Sequence, residues 1–380
     1  MKRLAAKLLI TPTGNLADPL VTIDDGRIVS ISRRGAEAVI NIEYDFPNAT
    51  LTAGFLDIHF HGIAGHDVMN ASSDGFQEIG YRLALAGVTQ FIPTTVTASL
   101  DATLPALERM ARFIEAEPAE DGARASGIHI EGPFLSHQKR GMHPAEHLLE
   151  PSPEILDRLW QAARGHIRLM TIAPELHGAI ETIKHAVSLG IRCSMGHSMA
   201  TGAEAVTAIG AGVVSATHTY NAMRPLDHRE PGILGVALDR EELYADLICD
   251  GYHVAPETVR LWFRLKGPER AILITDCLSA AGMPDGTYMA GETRVHVEGD
   301  GCRTDAGVLA GSVITLDRAV SNLRKMTGAD LGVAVRLASS NPARMLGLPH
   351  LVEPGGFADF NIFDANGNRQ NTMIRGSLVR

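Results

Sequence analysis

Leu51-Thr-Ala-Gly-Phe-Leu-Asp-Ile-His-Phe-His61 is the stretch on which the fold turns. It is a short apolar run, the pattern of a buried strand, and it closes on a His-x-His pair. Strand side chains alternate between faces, so His59 and His61 point the same way, with Asp57 below them. Two imidazoles side by side at a strand end suit a divalent metal. A hydrogen-bonded pair on a sheet face would satisfy the same pattern, and the neighbouring segments decide between the two.

From residue 54 to 339, apolar β-branched runs alternate with stretches of helical periodicity, the signature of repeated βαβ units. Eight strands are expected, at Phe55–His61, Val88–Pro93, Gly127–Glu131, Ile167–Ala173, Ile191–Met195, Val213–Thr217, Tyr244–Cys249 and Ala271–Thr275. Amphipathic stretches such as Pro153–Ala163, Gly178–Leu189 and Pro256–Lys266 lie between them. The expectation is an α/β protein built on a (β/α)8 TIM-like barrel, with its active site at the C-terminal ends of the strands. No Gly-x-Gly-x-x-Gly follows the first strand to favour a doubly wound open sheet. Residues 1–53 and 340–380 instead show short alternating runs broken by turn signals such as Asp24-Asp25-Gly26 and Asn366-Gly367. Both chain ends are expected to combine in one small β-sandwich domain, with residues 54–339 inserted as the catalytic barrel.

Composition narrows the function. The 380 residues are 45% hydrophobic with a net charge of −10, enough to build a sizeable core and without the basic footprint that nucleic acid or an anionic membrane would need. Cys193, Cys249, Cys277 and Cys302 form no Cys-x-x-Cys, which indicates neither a zinc knuckle nor a disulfide framework and points to a reducing cytoplasm. The opening apolar run is broken by Lys7 and stops at Thr11-Pro12, too short for a signal segment or a membrane span.

Polar residues gather at the expected strand ends: His59 and His61 after the first, Glu131 at the third, His197 after the fifth, His218 after the sixth, Asp250 and His253 after the seventh, Asp276 after the eighth. Imidazoles and carboxylates without thiolates suit a catalytic site for zinc, iron, manganese or cobalt better than a structural zinc site. Asp276, ending Ile-Leu-Ile-Thr-Asp, reads either as a metal ligand or as a general base.

Taken together, His59-Phe-His61, His129-Ile-Glu-Gly-Pro-Phe134, Met195-Gly-His197, Thr217-His-Thr-Tyr-Asn-Ala-Met223, Arg229-Glu-Pro-Gly232, Asp250-Gly-Tyr-His253, Ile274-Thr-Asp276 and Leu309-Ala-Gly-Ser312 resemble the N-acetylglucosamine-6-phosphate deacetylases of the amidohydrolase superfamily. The resemblance implies Glu131, His197 and His218 as ligands of one divalent metal, with Glu131 standing where other amidohydrolases carry a carboxylated lysine. His59 and His61 would complete a second position, giving one or two metals per subunit, zinc foremost. Asp276 resembles the general base and acid, and His143, beside Met142, the contact near the acetamido group. Asn221 and Ala222 match phosphate-holding positions, with His253 beside them and Asp250, Gly251 and Tyr252 in the same motif as His253. Arg229 would reach the phosphate from a neighbouring subunit of a homodimer, and Leu309, Ala310 and Gly311 match a loop over the sugar. The implied reaction releases acetate and glucosamine 6-phosphate. A deacetylase for the galactosamine epimer remains open, and the absent strand lysine argues against a cyclic-amide hydrolase.

Overall fold

Eight parallel strands form the centre of the molecule: β1 (Phe55–Phe60), β2 (Val88–Pro93), β3 (Ile128–Glu131), β4 (Ile167–Ile172), β5 (Arg192–Met195), β6 (Val213–Ala216), β7 (Tyr244–Ile248) and β8 (Ala271–Ile274). These coordinates are a computed structural model that describes residues 1–35, 41–116, 121–349 and 352–380. β3 to β8 form one continuous parallel sheet, and β1 pairs with β2. Single parallel bridges close the ring, Thr94 with His129 between β2 and β3, and Phe60 with Cys277 between β8 and β1. Every residue of β1, β2, β7 and β8 is buried, as strands covered on both faces require.

The helices between strands are set by local sequence. Ser72, Ser99 and Ser152 accept backbone N–H groups at the starts of Ser73–Leu85, Leu100–Glu115 and Pro153–Ala162. Thr201 and Glu204 form a reciprocal capping box at Gly202–Ala211. Leu156 and Leu159, Ile183 and Ala186, and Val259 and Trp262 turn their helices' apolar faces into the barrel core. No helix among the described residues is long and apolar enough to cross a membrane.

Both chain ends meet in one eight-stranded sheet. Lys2–Thr11 lies beside Tyr44–Ala53, which pairs antiparallel with Phe360–Phe363. Leu4, Leu9, Val21, Ile28, Leu51, Phe360, Ile362 and Met373 supply its core. Phe357 sits between the guanidinium groups of Arg27 and Arg124, at 4.2 and 4.1 Å from its ring centre, and Arg124 also pairs with Asp359 at 2.6 Å. The helix Ser340–Leu346 falls within the C-terminal segment assigned from sequence to the sheet domain, yet its Ala343, Met345 and Leu346 pack into the barrel core.

A further sheet lies outside the sequence expectation. After β8 the chain builds a three-stranded antiparallel sheet from Gly286–Ala290, Thr293–Glu298 and Gly301–Thr304. Its own small core of Leu278, Ala290, Val295, Val297, Cys302 and Ala310 also packs Met142. The insertion thus braces both the loop carrying His143 and the loop carrying Gly311.

Candidate active site

The strand ends converge on Glu131. One carboxylate oxygen, Oε1, lies 3.2 Å from His197 Nε2 and 3.1 Å from His218 Nε2. The other, Oε2, lies 3.2 Å from His59 Nε2, 3.3 Å from His61 Nε2 and 3.5 Å from His143 Nε2. Asp276 Oδ1 closes the ring at 3.1 Å from His61 and 3.4 Å from His59. All seven side chains are buried.

The second ring nitrogen of each histidine fixes which way its lone pair points. Nδ1 of His61 meets the Thr94 carbonyl at 3.0 Å, that of His197 the Lys139 carbonyl at 2.8 Å, and that of His218 the Asn221 carbonyl at 3.2 Å. A carbonyl only accepts, so each Nδ1 carries hydrogen, and each ring, once its Nε2 is deprotonated, turns that lone pair inward. His143 is reversed: its Nδ1 accepts the Thr97 backbone N–H at 3.2 Å, which leaves the hydrogen on Nε2, facing Glu131. His143 is therefore a donor into the site, although its ring nitrogen also lies close to ligand atoms of Glu131 and His197.

This donor set fits divalent cations. Nε2 atoms of His59 and His61 stand 3.2 Å apart, and those of His197 and His218 3.0 Å apart. Neutral lone pairs at such separations repel unless a cation or a proton lies between them. Ligand atoms of His59, His61, Glu131 and Asp276 all fall within 4.8 Å of one another, and so do those of Glu131, His143 and His197, so Glu131 belongs to both groups that could hold a cation.

Without a metal, protons take the same place. Burial opposes charge on His61, but hydrogen bonds to Asp276 and Glu131 outweigh it and raise the imidazole to about 10. His218 rises to about 9 against the same burial, again through Glu131. Burial prevails at His197 and lowers it to about 4. Burial would raise Asp276 and Glu131, yet the facing imidazoles, His59 first, hold both carboxyls below their ordinary values. Both stay ionised at neutral pH. Because His61 and His218 are protonated at pH 7 in the metal-free protein and a ligand must be deprotonated, metal uptake should release about two protons per subunit. The release should shrink as pH rises through 9 to 10. Calorimetric metal titration in buffers of different ionisation enthalpy measures it, and uptake without proton release would contradict the ligand assignment.

Backbone strain marks the same residues. His197, His218, Ala222 and Asp276 adopt left-handed φ values of 48°, 32°, 51° and 51°, conformations that non-glycine residues keep only where their surroundings impose them. Asp246 on β7 accepts the His218 backbone N–H. Gly311, itself at φ 49°, lies against Asp276, and a Cβ there would come within 2.8 Å of the Asp276 carbonyl.

The ring opens into a cavity of about 320 Å³. His61, Glu131, Met142, His143, His197, His218, Asn221, Ala222, His253, Asp276, Leu309 and Gly311 line it, with Gln138, Lys139 and Val308, which sequence reasoning did not single out. Five residues expected at the substrate are not in its wall. Asp250 is occupied with His253, accepting its Nδ1–H at 2.6 Å and its backbone N–H at 2.8 Å, and so orients that imidazole. Gly251 forms the turn between them at φ 84°, and Tyr252 is exposed. Ala310 is buried in the inserted sheet's core, and Arg229 is exposed on the loop after β6. His129 was missed as a site residue although it shares a strand face with Glu131. Its ring packs 4.7 Å from that of His59, and its Nε2 meets Thr171 Oγ1 at 2.8 Å. Burial, then the neighbouring His59, pushes its imidazole well below the usual value, so it stands as a neutral wall. His66, His137, His147, His166, His177, His185 and His296 lie outside the cavity, and His350 lies outside the described residues.

A barrel whose strand ends gather imidazoles around a shared carboxylate, with a second carboxylate beside them, is the site of a metal-dependent hydrolase. The chain belongs to the Amidohydrolase family, whose model matches residues 50–379. It is 37% identical over 330 residues to the N-acetylglucosamine-6-phosphate deacetylase of Lysinibacillus sphaericus, across 86% of this chain and 84% of that one. It is 36% identical over 386 residues to the N-acetylgalactosamine-6-phosphate deacetylase of Escherichia coli O157:H7, across 99% and 98%. The N-acetyl-D-glucosamine-6-phosphate deacetylase of Mycobacterium smegmatis superposes with a TM-score of 0.93 at 32% identity, covering the whole of both chains.

Proposed function

We propose that this chain hydrolyses the acetamide of N-acetyl-D-glucosamine 6-phosphate, giving acetate and D-glucosamine 6-phosphate. The observation that carries the reading is the Glu131 ring, with Asp276 on one side and the Nε2–H of His143 on another. Glu131, His197 and His218 would hold one divalent ion, and His59 and His61 the second position. A bound ion, zinc in our assignment, supplies Lewis-acid polarisation and brings the pKa of a bound water to about 7.

The residues divide the remaining work. Ionised Asp276 accepts a proton from the attacking water as its oxygen bonds to the acetyl carbon. His143 donates through Nε2–H to the carbonyl oxygen while negative charge grows there, which is worth most in a site that excludes water. Asp276 then delivers the proton to the sugar nitrogen as the C–N bond breaks, so that a neutral amine and acetic acid leave, the acid ionising to acetate in water. Asn221, Ala222 and His253 are the residues we assign to the phosphate. A dianion also calls for a bidentate guanidinium, and the cavity wall contains no arginine among the described residues. Arg229 is exposed outside it, which supports a homodimer in which this arginine completes the neighbouring site. A phosphorylated substrate and four free, buried cysteines fit the cytoplasm.

The likeness to the Escherichia coli relative favours a second reading, the galactosamine epimer. Acetate release separates the two when the metal-loaded protein is given N-acetylglucosamine 6-phosphate, its galactosamine epimer and unphosphorylated N-acetylglucosamine. We expect the glucosamine ester to be preferred, and the unphosphorylated sugar to lose roughly 10²-fold or more in kcat/KM, the loss of a buried charged hydrogen-bond partner. Equal rates with and without phosphate would remove the phosphate assignment, and a preference for the epimer would select the second reading.

A further inference from the structure

Asp57 touches no reacting atom in this scheme, yet it is fully buried two residues before His59. It lies at the barrel seam, where β1 and β8 share one isolated bridge instead of a ladder. Its Oδ2 accepts the Thr275 hydroxyl at 2.6 Å, and its Oδ1 lies 3.3 Å from the His59 N–H and 3.4 Å from the Thr275 N–H. The Thr275 oxygen in turn accepts the Cys277 N–H at 3.3 Å. Around this pair, the Asp276 N–H bonds to the His59 carbonyl at 2.9 Å and the His61 N–H to the Cys277 carbonyl at 2.9 Å. From the other side, Ser312 donates its hydroxyl to the Thr275 carbonyl at 2.6 Å and its N–H to the Asp276 carbonyl at 2.8 Å.

We propose that Asp57 and Thr275 form a clamp that positions Asp276 against His59 and His61, setting the proton-transfer geometry rather than merely closing the barrel. The inference rests on the reading of Asp276 as general base. Apolar side chains could close a seam without desolvating a carboxylate, the costlier choice. What the carboxylate adds is direction: it grips the backbone of the His-x-His strand and the residue before Asp276 at once. The residue it holds directly precedes an aspartate at φ 51°, a conformation that surrounding contacts must impose.

The test is a set of variants, Thr275→Val, Thr275→Ser, Asp57→Asn and the Thr275→Val/Asp57→Asn double, each assayed for kcat, KM, bound metal and thermal midpoint. Thr275→Val is nearly isosteric and removes only the hydroxyl. It should lower kcat by about 10²-fold, the effect of a small misplacement of a reacting group, with KM, metal content and thermal midpoint near wild type. Thr275→Ser restores the hydroxyl and should restore kcat. The double variant should be no slower than the slower single variant, because the clamp is broken only once. The visible spectrum of the Co(II)-loaded protein supplies a readout without turnover. It should change in Thr275→Val, as the Asp276 carboxylate moves near the ion, and return in Thr275→Ser. Wild-type kcat in Thr275→Val, no rescue by serine, additive losses in the double, or loss of metal and thermal midpoint in step with kcat would each overturn the clamp. If the wild-type protein releases no acetate, the general-base reading fails by itself, and the Co(II) spectra alone decide whether Thr275 positions Asp276.

Discussion

Replacing Asp276 by Asn is expected to lower kcat by roughly 10²–10⁴-fold, the range that a positioned general acid–base contributes. The substitution keeps the shape of the side chain, an oxygen toward His59 and His61, and a residue that tolerates the left-handed backbone at φ 51°. It removes the capacity to take a proton from water and return it to nitrogen. Metal bound through Glu131, His197 and His218 should remain, and KM should move little, because Asp276 acts on the reacting atoms rather than on the sugar. Steady-state kinetics with metal analysis on the same preparation measure both. Turnover close to wild type would take the acid–base role away from Asp276.

Glu131→Gln is the second large effect, and it reaches metal and fold together. The carboxylate lies within 3.5 Å of five imidazoles. Among the described residues, it is the side chain common to both groups that could hold a cation. Losing an outer-shell partner alone typically costs 10–100-fold in metal affinity, so removing the shared ligand charge should cost more than about 10²-fold and bring activity to background. Breaking a buried charge pair also destabilises by about 3–5 kcal/mol, which applies here to the metal-free protein at neutral pH. The sign with pH follows from the Glu131 carboxyl being held well below its ordinary 4.5. Its stabilisation is present above 4.5 and fades as pH falls through the depressed folded value, so wild type and variant should converge in acid. A variant that binds metal as tightly as wild type would show that Glu131 is not a ligand.

The barrel was legible because most of its strands carry short runs of apolar and β-branched residues between helical stretches, and boundaries read that way lie within one residue of those observed. The histidines were legible because strand alternation and the C-terminal rim are local rules that need no knowledge of neighbours. The inserted sheet was not. Gly286–Ala290 is mostly exposed, and although Val295 and Val297 alternate with exposed residues in Thr293–Glu298, two apolar positions are a short signal among turns. Its core exists only once Leu278, Cys302 and Ala310 meet through the fold. Lys139 was hidden for a related reason: its carbonyl, which every residue has, is what orients His197. His129 could have been found, since it alternates with Glu131 on β3, but its threonine partners come from elsewhere in the fold. The tautomer that makes His143 a donor depends on the backbone of Thr97, 46 residues away, and sequence spacing carries no sign of it.

Acetate release from N-acetylglucosamine 6-phosphate by chelator-stripped protein, titrated with Zn(II), tests the central claim most directly. Stripped protein should be inactive, and activity should return with added metal and saturate at about one or two ions per subunit. Full activity in protein shown to be metal-free, or no acetate release at any metal loading, would contradict metal-dependent deacetylation by this site.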